Sequence, residues 1–443
     1  MARLRVAFVS FHTSPGDTPG VGDAGGMNVY VDQLSRALAE LDVAVDVFTR
    51  SPGRAAVADA VAAGVRFVAL PGGPPGPLAK EELPSHAPAF ATAIAEYASA
   101  ARTRYDIVHS HYWQSGVAAI ALAQSWGVPL VHTHHTIGAF KNEIRPAGTP
   151  LEPELRLRAE RAVIRAAALV TASTEEERLW IGDSNAQRLT PGVDHRLFRP
   201  GDRTAARSWF DLDGRRLFLA AGRIQPLKGL ELAVRALPLV DEDSTLVLAG
   251  GPSGVDGAGE VARLERLVRD LGIETRVQFL GPQPQRRLAD LYRAADALVV
   301  CSYSESFGLA ALEASACGTP VVGMDVGGLP TFVREGRSGF LLDRRDPALL
   351  AARLRAVLAA GEPFRRAAAE SAAPFSWERT ARALLAQYVR LVGSTAHTKI
   401  RLNASPYAKP AAWPTSANRR VNHCSNCASP RESFSSIWKA DPN

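Results

Sequence analysis

The sequence predicts an α/β protein made of two doubly wound, Rossmann-like units. Short β-branched runs alternate with Ala-rich segments of helical periodicity, and this alternation is typical of a parallel sheet with helices on both faces. The pattern breaks near 191–202, where Pro, Gly and Asp cluster, and then restarts. A chain of 443 residues also exceeds the usual size of a single core. We therefore predict an N-terminal unit over 1–195 and a C-terminal unit over 196–375.

The strands and helices follow from this alternation in chain order. The predicted strands of the N-terminal unit are RVAFVSF, VAVDVFT, VRFVAL, DIVHSH, PLVHTH and ALVTAS. Those of the C-terminal unit are RLFLAAG, STLVLAGG, RVQFLG, ALVVCS and PVVGM. Helices are predicted at about 228–237, 258–271, 285–295 and 308–317. An amphipathic segment over 376–394 predicts a closing helix, which either covers the C-terminal unit or packs back on the first one.

Composition argues against nucleic-acid and membrane partners. The net charge is +6, but Arg and Lys are interleaved with Asp and Glu along the predicted helices, as on solvated faces. No apolar run approaches the roughly 20 residues that a membrane span requires, and the run 6–9 suits a buried strand better than a signal peptide. We expect no stable membrane anchor and keep a homodimer open beside a monomer.

Cysteine use and the C-terminal composition bound the rest of the chain. Four cysteines are few, and Cys301 and Cys317 fall in predicted core elements, so we expect a cytoplasmic location without a disulfide framework. From about 395 the apolar periodicity ends, and the remaining segment holds three of the six lysines. We predict that 395–443 is a disordered tail.

A glycine-rich loop follows the first predicted strand. The loop 22–28, GDAGGMN, opens a helix, where free N–H groups and the helix dipole attract anions. Its paired glycines would let the backbone approach a phosphate. A plain tight turn is the alternative. Since the loop does not match GxGxxG, a nicotinamide cofactor is disfavoured.

Two cations follow the first strand of the C-terminal unit. Arg223 and Lys228 lie five residues apart at the strand end, the edge where open α/β sheets bind ligands, and they suit a diphosphate. The alternative is that both pair with surface carboxylates. The scarcity of lysine weighs against it, because only Lys80, Lys141 and Lys228 precede the tail.

The segment 304–313, SESFGLAALE, also leads from a strand into a helix. Glu305 would lie in the loop beside a sugar, and Glu313, about two turns on, could accept both hydroxyls of a ribose. A buried structural ion pair is the alternative for Glu313. The helix N-terminus that would face phosphate comprises Ser306, Phe307, Gly308 and Leu309.

One predicted helix carries an inward cation. On a helical wheel of 155–167, apolar side chains surround Arg156, whereas the other three arginines share the opposite side. A buried guanidinium requires a partner, either Glu160 or an anionic ligand. Membrane docking of the outer arginines is the less favoured alternative.

Five histidines lie at the ends of two predicted strands. Strand alternation places His109 with His111, and His132 with His134, on common faces, and His135 follows. Because no carboxylate or thiolate joins this pattern, hydrogen bonding to a sugar is favoured over a metal site, and we predict no metal ligands.

Taken together, GDAGGMNVYV, HSHYW, HTHHT, GRIQPLKG, AGGPSG, SESFGLAALEASACGTPVV and VGGLP resemble the GT4 retaining glycosyltransferases over about 4–392. The resemblance implies the GT-B fold, in which two Rossmann-like domains face a central cleft. It is strongest to enzymes of mycothiol biosynthesis, which transfer N-acetylglucosamine from a UDP donor to 1D-myo-inositol 3-phosphate. The implied activity is that of a hexosyltransferase whose partners are a nucleotide-diphosphate sugar and a phosphorylated small-molecule acceptor.

The same resemblance implies roles for individual residues. The donor would be bound by Gly26, Arg223, Lys228, Glu305 and Glu313 together with the helix N-terminus at 306–309. His135 would lie near the transferred sugar and act in catalysis with Arg223, Lys228 and Glu305. The implied acceptor residues are His12, Asp23, Gly25, Gly26, Asn28, Lys80, Tyr112, Thr136 and Arg156.

The implied chemistry needs no protein nucleophile and no required cofactor. Domain closure would bring the acceptor hydroxyl to the anomeric carbon while the cations and the helix N-terminus stabilise charge on the diphosphate. Mg²⁺, which the family sometimes uses, would lie where no carboxylate is offered, near Tyr292, Arg293, Ala295 and Thr319. The alternatives are a GT4 enzyme with another acceptor, similar to sucrose-phosphate synthase, a sugar-nucleotide epimerase, or a noncatalytic nucleotide-sugar binding protein.

Overall fold

The computed structural model describes residues 3–20, 22–53, 55–145, 149–208, 210, 215–254 and 257–401. These residues form two α/β units, each a mostly parallel sheet between helices, which confirms the predicted fold class. The strands of the first sheet are β1 (Arg5–Ser10), β2 (Ala44–Ser51), β3 (Ala56–Ala62), β4 (Val65–Pro71), β5 (Ile107–His111), β6 (Leu130–Thr133), β7 (Leu169–Ala172) and β8 (Ala186–Arg188). Those of the second are β9 (Arg216–Ala221), β10 (Ser244–Ala249), β11 (Val277–Phe279), β12 (Ala297–Val300), β13 (Val321–Met324) and β14 (Gly339–Leu342).

The helices alternate with these strands. In the first half they are α1 (Gly26–Glu40), α2 (Leu83–Ala100), α3 (Trp113–Trp126), α4 (Gly138–Ile144), α5 (Glu154–Ala166) and α6 (Glu175–Ile181). In the second half they are α7 (Arg203–Ser208), α8 (Glu231–Ala236), α9 (Gly257–Asp270), α10 (Gln285–Ala294), α11 (Leu309–Ala316), α12 (Leu329–Phe332), α13 (Pro347–Ala360), α14 (Glu362–Ala372) and α15 (Trp377–Arg401). A 3₁₀ turn at Pro226–Lys228 precedes α8.

Both sheets are wound outward from their first strand. Their orders are β3-β4-β2-β1-β5-β6-β7-β8 and β11-β10-β9-β12-β13-β14, so the strand order reverses between β1 and β5 and again between β9 and β12. Connections leave in opposite directions at such points, and ligands of open α/β sheets bind in the crevice that results, outside the carboxyl ends of the strands. The topology therefore places one ligand crevice in each unit.

The structure contains every predicted strand and three that were not predicted, β3, β8 and β14. All three lie at sheet edges. β3 pairs antiparallel with β4 and has the Ala-rich sequence AVADAVA, β8 has three residues, and β14 has four. Ala has low β propensity, and β8 (AQR) contains no β-branched or aromatic residue, so sequence patterns do not reveal these two strands. β14 is apolar and as long as the predicted β13, and it was missed.

The C-terminal helix α15 packs back on the first unit. Ala381, Leu384 and Tyr388 join Tyr30 and Val31 of α1 in one core cluster. The helix continues to Arg401, beyond the predicted end at 394, and the rest of the predicted tail lies outside the described residues. No helix within the described ranges is long and apolar enough to cross a membrane.

Candidate functional site

A cleft of about 930 Å³ lies between the two units, where β1, β5, β9 and β12 end. Its walls contain each residue predicted to bind donor or acceptor, with the exception of Asn28. Lys80, Lys141 and Lys228, the three lysines before the predicted tail, all line it. The two crevices that the topology creates thus form one continuous site.

Asn28 lies beneath the glycine-rich loop and not in the cleft. Its Oδ1 accepts from the Gly25 amide at 2.9 Å, and its Nδ2 donates to Thr13 Oγ1 at 2.8 Å and to the Ser14 carbonyl. Its exposed fraction is 2%, because it caps the start of α1. The structure therefore gives Asn28 the task of holding the loop, and the expectation that it contacts the acceptor is not met by this placement.

The loop itself approaches Arg223 of the other unit. A Cβ on Gly25 would lie 3.2 Å from Nε of Arg223, so glycine leaves room for that side chain. Nη1 of Arg223 donates to the Asp23 carbonyl at 3.4 Å and to Ser253 Oγ at 3.3 Å. Within the described residues Arg223 has no carboxylate partner, so its charge is available to an anion in the cleft.

Lys228 pairs with Glu305, another residue of the cleft wall. Its Nζ donates to Glu305 Oε1, which also accepts from Ser302 Oγ at 2.6 Å. Lys228 therefore does pair with a carboxylate, as in the alternative, but that carboxylate belongs to the cleft wall. The contact holds both side chains beside the start of α11.

The start of α11 requires glycine. Gly308 has φ +90°, and a Cβ there would lie 2.5 Å from Cδ1 of Leu329. This turn brings Ser306, Phe307 and Leu309 to the cleft wall at the positive end of the helix. The hydroxyl of Ser306 also donates to the His135 carbonyl of the opposite unit.

Glu313 is a buried carboxyl on the cleft wall. Its exposed fraction is 7%, and the Tyr292 hydroxyl donates to Oε2 at 3.2 Å. No cation pairs with it in the part of the chain that is described. Burial raises the pKa of Glu313 to about 8, so the free protein holds this group protonated at neutral pH.

Two cations of the first unit lie close to the ring of Tyr112. Lys80 Nζ lies 4.8 Å and Arg156 Cζ 5.1 Å from the ring centroid, and the His12 ring lies at 4.7 Å. Tyr112 has φ +73°, an uncommon conformation for a bulky residue. Among the described residues Lys80 has no ion-pair partner. An anion placed beside Tyr112 would therefore meet an uncompensated ammonium.

Arg156 points inward, as the helical wheel predicts, with 4% of its surface exposed. It donates from Nε to Glu160 and from Nη1 to Glu152, each at 2.8 Å, and from Nη2 to Thr136 Oγ1 at 3.0 Å. Glu152 also accepts from Lys141. The Glu160 alternative is thus confirmed as a contact, while the same guanidinium lines the cleft.

The two carboxyl groups on Arg156 differ in their ionisation. Burial raises the pKa of Glu160, although Arg156 favours its ionised form. Burial acts in the same direction on Glu152, but Arg156 and Lys141 outweigh it and lower the pKa of that carboxyl. Glu152 is therefore the firmly ionised partner of the guanidinium.

The histidines form two stacked or edge-on pairs, as alternation predicts. The rings of His109 and His111, and those of His132 and His134, have centroids 4.4 Å apart. Burial lowers the pKa of His109, His134 and His135 to about 3, so these imidazoles are neutral. In the described ranges no group of three His, Cys, Asp or Glu side chains could hold a metal ion.

The place where the resemblance puts Mg²⁺ does not fit a cation. The Tyr292 hydroxyl is held by Glu313, the Thr319 hydroxyl donates to the Tyr292 carbonyl, and Arg293 pairs with Asp290 at 2.6 Å. Mg²⁺ prefers carboxylate and water oxygens, whereas this place offers a guanidinium and a carboxylate that is already paired. No step is therefore assigned to the ion.

Sequence reasoning gave no role to Glu177 and Lys141, two ionisable residues of the cleft wall. Glu177 lies at the start of α6, accepts from the Ser173 amide at 2.6 Å, and has its pKa raised to about 7 by burial. The T-x-x-E pattern of a helix cap, Thr174 to Glu177, was an available signal. Lys141 was signalled by the scarcity of lysine, but no role followed from it.

Comparisons with known proteins agree with this geometry. The family model "Glycosyl transferase 4-like domain" matches residues 25–190, and "Glycosyl transferases group 1" matches 202–373. D-inositol 3-phosphate glycosyltransferase of Mycolicibacterium vanbaalenii is 46% identical over 88% of this chain and 90% of its own. The Geodermatophilus obscurus protein of the same name is 44% identical over 92% of this chain and 94% of its own.

Solved structures show the same architecture. Sucrose-phosphate synthase from Thermosynechococcus elongatus superposes with a TM-score of 0.82 and 31% identity, covering 88% of this chain and 100% of its own. Anabaena HepE in complex with UDP and glucose superposes with a TM-score of 0.68 and 20% identity, also over 88% and 100%. The chain therefore belongs to the GT-B glycosyltransferase family that includes the D-inositol 3-phosphate glycosyltransferases, and it is a glycosyltransferase.

Proposed function

We propose that this glycosyltransferase moves N-acetylglucosamine, with retention of configuration, from a UDP donor to 1D-myo-inositol 3-phosphate in the cytoplasm. The observation that carries the proposal is the presence of two separate groups of positive charge in one cleft. Arg223, Lys228 and the start of α11 form one of them in the second unit. Lys80 and Arg156, whose Nζ and Cζ lie 4.8 Å and 5.1 Å from the centroid of the Tyr112 ring, form the other in the first unit.

The donor half suits a nucleoside diphosphate sugar. A diphosphate at the start of α11 would meet the free N–H groups of the helix, the uncompensated guanidinium of Arg223 and the ammonium of Lys228. Glu313, farther along the same helix, is placed to accept hydrogen bonds from two adjacent ribose hydroxyls. Glu305, fixed by Lys228 and Ser302, would then lie beside the sugar.

The acceptor half suits a phosphorylated polyol. The side chains of Lys80 and Arg156 reach one aromatic ring, so a phosphate could contact both, and His12 adds a polar edge to the same pocket. Burial keeps His12 neutral by lowering its pKa, an effect that Lys80 reinforces, so the ring would act by hydrogen bonding. The names of the relatives support inositol 3-phosphate as the acceptor that we propose.

The proposed reaction takes place on one face of the sugar. The acceptor oxygen forms a bond to the anomeric carbon, the bond from that carbon to the diphosphate oxygen breaks, and the acceptor proton passes to the leaving phosphate. Arg223, Lys228 and the α11 N–H groups stabilise the charge that develops on UDP. Because the acceptor oxygen itself forms the bond to the anomeric carbon, this scheme requires no carboxylate nucleophile, and Glu305 stays paired with Lys228.

A second candidate acceptor is favoured by one observation. Sucrose-phosphate synthase shares 31% identity with this chain, and a phosphorylated ketose would also satisfy Lys80 and Arg156. The two candidates share the donor site and differ in the acceptor ring.

The product tests the proposal directly. Incubation with UDP-N-acetylglucosamine and inositol 3-phosphate should release UDP and form an α-linked pseudodisaccharide, identified by mass and by the small proton coupling at the anomeric carbon. A β-linked product would contradict retention. UDP release without a glycosylated product would indicate donor hydrolysis.

Donor affinity should depend on pH through Glu313. Its pKa is about 8 in the free protein, and ribose hydroxyls favour the ionised carboxylate, so donor binding should release a proton. The Kd for UDP-N-acetylglucosamine should therefore fall as pH rises from about 6 to 8, by at most about tenfold per pH unit. Calorimetric titration at pH 6, 7 and 8 measures this. In Glu313→Gln the donor Kd should be higher than in the wild-type protein and should not change with pH. If the variant kept the pH dependence of the wild-type Kd, Glu313 would not be part of the donor site.

We expect the native Glu152 carboxylate to weaken acceptor binding, so that its replacement strengthens binding. Its carboxylate shares Arg156 with the proposed phosphate site, so Glu152→Gln keeps a hydrogen-bond acceptor and removes the competing charge. We expect the KM for inositol 3-phosphate to fall about fivefold, equivalent to about 1 kcal/mol. Glu154→Gln, at the exposed pair with Arg161, is the matched control and should leave KM unchanged. A rise in KM for Glu152→Gln would mean that Glu152 is needed to hold Arg156 in place.

A further inference from the structure

Two imidazoles meet at the floor of the cleft. His111 ends β5, and His135 follows β6, which pairs with β5 in a register that sets His111 opposite Thr133. Nδ1 of His111 lies 3.0 Å from Nε2 of His135. His111 is fully buried, whereas His135 is half-buried and lines the cleft. The buried His111 ring thus contacts the His135 ring and does not itself line the cleft.

This contact determines which nitrogen of His135 faces the ligand. A neutral imidazole has one N–H donor and one acceptor nitrogen, and burial lowers the pKa of both rings, so both are neutral at physiological pH. Since Nε2 of His135 is occupied by His111, Nδ1 is the nitrogen that remains for the cleft.

The surroundings of His111 indicate where the protons lie. In the described part of the chain its Nε2 is buried without a hydrogen-bond partner. A buried N–H without an acceptor is unfavourable, and this arrangement would result if His111 carried its proton on Nε2. With the proton on Nδ1, His111 donates to Nε2 of His135. His135 must then carry its own proton on Nδ1.

Neighbouring groups hold both rings in this arrangement. The Tyr30 ring lies edge-on to His135 at 4.9 Å, and the Phe8 ring lies 4.7 Å from His111. His135 has φ +60°, and its carbonyl accepts from the Ser306 hydroxyl of the second unit. Ring, backbone and interdomain contact therefore fix the direction of the His135 Nδ1–H.

We propose that His111 is a positioning residue that donates Nδ1–H to Nε2 of His135 and so fixes His135 as a hydrogen-bond donor to an oxygen of the transferred sugar. In this arrangement His135 does not remove the acceptor proton, because the nitrogen that faces the cleft already carries one. The inference rests on the proposed placement of the sugar beside His135. The tautomer, however, is a property of the free protein.

Nitrogen-15 NMR of full-length protein labelled at histidine tests the tautomer without substrate. The His135 signals are assigned by their loss in His135→Gln. We expect a protonated, pyrrole-type shift for Nδ1 and an unprotonated, pyridine-type shift for Nε2. A protonated Nε2 would overturn the proposal, whether or not the proposed reaction is observed.

Two substitutions test the consequence for catalysis. His111→Phe keeps an aromatic ring between Phe8 and Tyr30 but removes the donor, whereas His111→Asn keeps an N–H close to the position of Nδ1. Loss of such a supporting hydrogen bond typically costs about 10- to 100-fold in activity, and we expect that decrease in kcat for His111→Phe. The Kd for UDP should not change, and His111→Asn should recover most of the rate.

The outcomes separate this role from a purely structural one. Equal loss of kcat in both variants, or full activity in His111→Phe, would overturn the proposal. If wild-type protein shows the expected His135 tautomer but forms no glycosylated inositol phosphate, the proposed function fails while the role of His111 in fixing the tautomer stands.

Discussion

Lys228→Met is expected to lower kcat about 100- to 1,000-fold, the usual loss when one preorganised donor to a developing charge is removed. Lys228 lies beside Glu305 at the start of α11, where the leaving diphosphate would gain charge. Steady-state UDP release with UDP-N-acetylglucosamine measures the effect. Because charge on the leaving oxygen grows only as the bond breaks, the Kd for the donor should change much less than kcat.

A nearby cation outside the cleft controls for a general loss of positive charge. Arg235 of α8 pairs with Glu231 at the surface, and Arg235→Met should leave kcat and the donor Kd unchanged. If Lys228→Met instead weakened donor binding as much as it lowered kcat/KM, with kcat preserved, Lys228 would be a binding group without a role in the chemical step.

Lys80→Met is expected to raise the KM for inositol 3-phosphate about 10- to 100-fold, as expected for the loss of a charge-assisted contact. Within the described residues Lys80 has no carboxylate partner, so its charge is free to meet a phosphate beside Tyr112. The donor KM should stay constant, because the cations proposed to bind the donor diphosphate, Arg223 and Lys228, lie in the other unit. Initial rates at saturating donor measure the effect.

The unphosphorylated acceptor is the control for Lys80. Any residual activity with myo-inositol should not change in Lys80→Met, since that substrate has no phosphate for Lys80 to contact. An equal loss with both acceptors would show that Lys80 supports the loop before α2 and does not recognise the phosphate.

Periodicity predicted the two sheets because buried parallel strands are apolar on both faces and leave a continuous signal. β14 is apolar and as long as the predicted β13, so its length does not explain why it was missed, whereas β3 is too rich in alanine. The helical wheel placed Arg156 inward correctly. It covered only 155–167 and so left out Glu152, which precedes α5 and lies four residues before Arg156.

Several cleft residues were predictable one strand end at a time, because His135, Arg223 and Glu305 follow strands that the pattern reveals. The contacts between side chains at different strand ends could not be predicted from the sequence. The family resemblance implied an acceptor role for Asn28, whereas the fold turns its amide beneath Gly25, since Thr13 and Ser14 offer partners there. Alternation paired His109 with His111, but the contact of His111 with His135 depends on the register of β5 and β6.

The most direct test compares acceptors with UDP-N-acetylglucosamine as donor. UDP release is measured with 1D-myo-inositol 3-phosphate, with myo-inositol and with fructose 6-phosphate at equal concentrations. If Lys80 and Arg156 both contact the acceptor phosphate, we expect turnover with inositol 3-phosphate and a kcat/KM at least about 100-fold lower with myo-inositol. Equal turnover with the two inositols would contradict the account, and a preference for fructose 6-phosphate would identify the sucrose-phosphate-synthase-like alternative.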